Sequence, residues 1–167
     1  GALARLRWAR GDREGFASSF DRALLAAPRE IPLWRAYIET LLRAELYEQA
    51  LGVIARGRAA ARAHPTFDPA ESIARAELGE AAPAFALFDR IGPLRNIATT
   101  VHYVRLLIRN ARIEEASRIA EQRARQDATH QLWPYVSIGW RLLGDHRWEW
   151  LEGDPRFIGV YDIADQL

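Results

Sequence analysis

Residues 43–54, RAELYEQALGVI, decide the fold, because two other stretches echo them: ARGDREGFASSF (9–20) and RAELGEAAPAFALF (75–88). Aligned, the three place Gly11, Glu45 and Gly79 in one column, each 34 residues from the next. The same register aligns Phe20, Ile54 and Phe88. RNARIEEASRIA (109–120) continues it, with Ala111 32 residues after Gly79 and Gly144 another 33 on. Five columns near one period are the signature of a repeat architecture.

Working outward from each column, the flanking segments read as helices. Trp34, Tyr37, Ile38 and Leu41 fall at i, i+3, i+4 and i+7, one apolar helix face. Tyr103, Val104 and Leu107 occupy those positions in a later unit, and Trp133, Val136 and Trp140 in the last. After each turn a second helix follows, with Ala50, Ala84 and Ala116 where a small side chain lets helices approach closely. Pro28, Pro32, Pro65 and Pro93 punctuate the junctions between units, where a missing N–H costs least. The register predicts helix starts near Ile31, Asp68, Ile97 and Gln131. In the third unit the apolar columns hold Asp68, Glu71, Ser72 and Arg75. A one-residue slip recovers an apolar face through Phe67, Ala70 and Ala74.

These residues resemble the tetratricopeptide repeat (TPR) family. The aromatic early in the first helix is matched by Trp34 and Trp133, the turn glycine by Gly11, Gly79 and Gly144, and the small-x3-aromatic pattern by Ala84 and Phe88. Phe16 departs from it, standing where a small residue belongs. The resemblance implies an all-α fold: a right-handed solenoid of antiparallel helix pairs, about four to five units, over residues 1–155. Residues 156–167 then form a short non-helical tail. RFIGVYDI (156–163) is β-prone, with Gly159 breaking any helix, and reads as the entry to a further domain. Trp148, Trp150 and Leu151 read as a short closing helix.

The repeats together with RLLGDHRWEWLEGDPRFIGVYDI (141–163) resemble bacterial 2-oxoglutarate/Fe(II)-dependent oxygenases that carry an N-terminal TPR region. That family holds iron with a His-x-Asp…His triad, which this chain lacks. The resemblance therefore implies the non-catalytic arm of such an enzyme. With no Met, the chain reads as part of a larger protein.

Composition narrows the function classes. Formal net charge is +1, all 23 basic residues are Arg, and Cys is absent. Disulfides and thiolate chemistry are excluded, and nothing favours nucleic acid or anionic membrane globally. His64, His102, His130 and His146 lack metal-ligand spacing, and Glu114-Glu115 diverge by about 100° on a helix. No phosphate-binding glycine loop or nucleophile elbow occurs. No catalytic residue, metal or cofactor is expected in this chain. ARGRAAARAH (55–64) carries Arg56, Arg58 and Arg62 without interleaved aromatics, so it reads as an outward, solvated helix face and not as a nucleic-acid site.

The resemblance implies that a ligand would lie on first-helix residues outside the core face. These are Arg35, Glu39 and Arg43, then His102, Arg105 and Arg109, then Gln131, Tyr135 and Arg141. Arginine forks suit carboxylates, so the expected partner is a protein or peptide of acidic character, bound in the cytoplasm. Two alternatives stand beside this. In one, the arginines pair with Glu39 and neighbouring carboxylates and simply solvate the inner face; in the other, the module dimerises or spaces its parent with no peptide ligand.

Overall fold

The computed structural model describes residues 11–61, 64–126, 132–146 and Glu149. Of these, 81% are helical, and no strand occurs among them. The α-helices are α1 (Arg13–Ala26), α2 (Ile31–Arg43), α3 (Tyr47–Ala60), α4 (Asp68–Glu77), α5 (Ala81–Ile91), α6 (Ile97–Arg109), α7 (Ile113–Gln126) and α8 (Trp133–Leu142). A 3₁₀ turn, Pro65–Phe67, leads into α4. Helices α2, α4 and α6 begin at Ile31, Asp68 and Ile97, as the register predicts. The last begins at Trp133, and Gln131 lies outside the described residues.

The turn columns explain the punctuation. Gly11, Gly79 and Gly144 have φ of 77°, 79° and 70°, and the two non-glycine members, Glu45 and Ala111, stand at 58° and 57°. Only Gly92, which ends α5, joins these five at positive φ among the described residues. A left-handed residue just past a helix turns the chain back so that the next two N–H groups cap orphaned carbonyls. The N–H of Glu45 donates to Leu42 O and that of Leu46 to Leu41 O, both at 3.0 Å. Ala111 and Arg112 repeat the pair onto Ile108 and Leu107, and Gly144 and Asp145 onto Arg141 and Trp140. Starts are equally local: Asp12 and Asn96 accept the N–H of Gly15 and Thr99 at 2.8 and 2.9 Å.

The helices divide into two compact units at the boundary between Leu78 and Gly79. In the first, α2 packs on α1, α3 and α4, and α3 packs on α4. Trp34, Tyr37, Ile38 and Leu41 are buried in its core, and the Trp34 indole donates to the Pro28 carbonyl at 2.9 Å. Phe16, the departure from the family pattern, is 1% exposed. Its ring meets Phe20 and Tyr37 edge-on at 5.2 and 5.5 Å, while Phe20 stacks on Tyr37 at 4.6 Å. A large ring is accommodated there because it completes an aromatic cluster between α1 and α2.

In the second unit α6 packs on α5 and α7, and α7 packs on α8. Phe88, Tyr103, Val104, Leu107, Val136 and Trp140 are core. The small column does what its spacing implies: Ala50 and Ala84 are fully buried and Ala116 is 1% exposed. Gly139 of α8 lies so close to α7 that a Cβ there would sit 2.8 Å from Ser117 Cβ.

The third unit buries residues of both registers. Asp68 and Ser72 are buried in their original columns together with Phe67 and Ala74, and Ala70 is only half-buried. The tail 156–167, Trp148, Trp150 and Leu151 lie outside the described residues.

Candidate peptide-binding face

Spending Trp34, Tyr37, Ile38 and Leu41 on the core leaves Arg35, Glu39 and Arg43 exposed on the opposite side of α2. The structure brings these three together. Glu39 accepts from Arg35 at 3.4 Å and pairs with Arg43 at 3.6 Å, with side chains 57%, 49% and 72% exposed in chain order. One carboxylate thus serves two guanidinium groups through i, i+4 spacing. At such exposure the pairs add little stability, but they leave the stripe partly neutralised.

The remaining candidates belong to the second unit. On α6, Thr99, Thr100, Tyr103, Val104, Leu106 and Leu107 face the core, which leaves His102 and Arg105 half-buried and Arg109 exposed. On α8, Tyr135 is half-buried and Arg141 exposed. Together these candidates comprise three arginines, a histidine and one flat aromatic side chain, on two helices.

Of the arginines in residues 55–64, Arg56 is exposed as the outward reading expects and Arg58 is not. Arg56 reaches back to Asp21 at 2.6 Å and covers the Trp34 ring at 5.7 Å. Arg58 turns inward, binding Asp68 at 2.7 Å and Glu71 at 2.5 Å, and Glu71 also takes Arg75 at 2.8 Å. The Arg58 Nε is buried with no hydrogen-bond partner. Arg62 is outside the described residues. The outward reading failed at Arg58 because its partners lie on the next helix. The signal that could have found them was the set of charged residues in the apolar columns of the third unit, which require a buried counter-ion.

Two buried phenols are perturbed. Tyr103 donates to Glu115 at 3.3 Å. Its pKa is pushed up to about 12, first by burial and then by the charges of Glu115 and Asp89, with Arg112 opposing. Tyr37 is raised by burial and by Asp21, against Arg56. Both shifts keep the phenol neutral in a packed core.

A shallow groove of about 360 Å³ lies beside α7, lined by Glu114, Ser117, Arg118, Glu121, Gln122, Arg125 and, just past α8, Leu143. Sequence reasoning, directed at the first helix of each pair, missed it. Among the described residues, no group of three or more His, Asp or Glu could hold a metal ion, and no helix is long and apolar enough to cross a membrane. Comparison with protein-family models, with curated proteins and with solved structures finds no match.

Proposed function

We propose that this chain is a non-catalytic interaction module of the tetratricopeptide-repeat type, serving a larger protein by holding an acidic peptide or protein segment. The observation that carries the reading is the set of left-handed turns at Gly11, Glu45, Gly79, Ala111 and Gly144. Their near-regular spacing supports a division of the chain into similar helix pairs, and stacked pairs of this kind present their first helices as an extended binding surface. On the second unit the proposed contact runs through Arg105, Arg109 and Arg141 with Tyr135 alongside, and on the first unit Arg35 and Arg43 share Glu39. The parent protein is proposed, on the resemblance of residues 141–163, to be a 2-oxoglutarate/Fe(II)-dependent oxygenase. The chain itself should then consume no 2-oxoglutarate when supplied with Fe(II).

Fluorescence anisotropy of a labelled acidic peptide tests the contact. Binding should weaken as salt rises. Replacing the exposed pair Arg109→Ala and Arg141→Ala should lower affinity roughly five- to thirtyfold, about 1–2 kcal/mol, with helical content unchanged. Equal affinity in the double variant rejects the assignment.

A further inference from the structure

The ion pairs around Glu39 are loose ones. With the same i, i+4 spacing, Glu71 holds Arg75 at 2.8 Å and Glu121 holds Arg125 at 2.7 Å, the range of a charge-assisted hydrogen bond. Glu39 stands 3.4 Å from Arg35 and 3.6 Å from Arg43. Its carboxylate is stretched between guanidinium groups one helical turn to either side, and each oxygen faces one of them. The two arginine backbones are about 12 Å apart along α2, yet both heads reach toward the same point.

Neither arginine makes another polar contact among the described residues. A guanidinium carries five N–H donors, so most of those on Arg35 and Arg43 remain available at the surface. The trio keeps one net positive charge. It lies on the exposed side of α2, opposite the face that Trp34, Tyr37, Ile38 and Leu41 bury.

We infer that Arg35 and Arg43 form a second binding site for a carboxylate of the acidic ligand, and that Glu39 fills it as an internal competitor. On the peptide-binding reading, which this site rests on, the first unit then adds to the contact. A ligand carboxylate arriving between the two arginines needs the donors that Glu39 faces, and it meets the negative charge of Glu39 in the same place. Glu39 therefore opposes binding twice, by occupancy and by repulsion. The opposition is small because both pairs are long and exposed. A segment with several carboxylates overcomes it more readily than one with a single carboxylate, so Glu39 biases the stripe toward strongly acidic partners.

Fluorescence anisotropy of the labelled acidic peptide, run on the whole chain, tests the site through Glu39→Gln, which keeps the side chain's length and removes its charge. Affinity should rise about two- to fivefold, with helical content unchanged by circular dichroism, and the gain should shrink as salt rises. Adding Arg35→Ala and Arg43→Ala should abolish the gain, because it acts through those two side chains. Unchanged or weaker binding by Glu39→Gln overturns the inference. So does a gain that survives the loss of both arginines, since it then reflects net charge alone. Failure of the second-unit contact has a different signature: Arg109→Ala with Arg141→Ala leaves affinity equal, while Glu39→Gln still raises it. If neither the parent chain nor Glu39→Gln binds the peptide, both readings are overturned.

Discussion

Glu45 and Ala111 occupy a backbone region that L-residues with a Cβ enter at a cost of about 1–2 kcal/mol, at φ of 58° and 57°. Their neighbours in the column are glycines. Glu45→Gly and Ala111→Gly should therefore each stabilise the fold by about 0.5–1 kcal/mol, read as a higher urea midpoint. A loss of stability in both would mean the side chains contribute more than the backbone strain removes. Tyr103 supplies a second residue-scale test. Its folded pKa of about 12 lies above the ordinary 10.0, so the folded state holds its proton more tightly than the unfolded state. The corresponding stability is complete below pH 10 and is lost as pH rises from there through about 12. Tyr103→Phe should flatten that alkaline decline in a pH series of unfolding midpoints.

The joint between α3 and α4 is the element that charge controls. Arg58 is 31% exposed, but Asp68 and Glu71 are only 12% and 13% exposed at the side chain. Removing the cation leaves two carboxylates largely out of water with Arg75 as the nearer remaining counter-ion. Arg58→Ala should destabilise by about 2–3 kcal/mol, below the full cost of breaking a deeply buried pair because the guanidinium is partly solvated. The pair Arg56–Asp21, 52% and 42% exposed, gives the comparison. Asp21→Ala should cost no more than about 1 kcal/mol. Equal losses from the two substitutions would show that burial does not set the difference.

For the molecule, stability of about 5–15 kcal/mol is the usual reserve, and the first unit concentrates much of its share on one side chain. Trp34 is 3% exposed, hydrogen-bonded to Pro28, and packed so closely that a Cβ on Gly57 would lie 3.3 Å from its ring. Trp34→Ala should cost about 3–5 kcal/mol. The loss should appear as a lower melting temperature and reduced hydrogen-exchange protection across α1–α4. A melting temperature that barely moves would mean that the α2 core face is assigned to the wrong side.

What the amino-acid order determined by itself was local. Helix starts at Ile31, Asp68 and Ile97, the left-handed stops, the buried Ala50, Ala84 and Ala116, and the apolar face of α2 all follow from backbone sterics and helical period. These act over one or two turns and leave their mark at fixed spacings. The tertiary structure alone decided where charge and bulk find partners on other helices: Phe16 in the cluster with Phe20 and Tyr37, and Arg58 on Asp68 and Glu71. Whether a guanidinium meets a carboxylate or water depends on distances between groups on different helices or on the rotamers they settle into, and a one-dimensional pattern does not encode either.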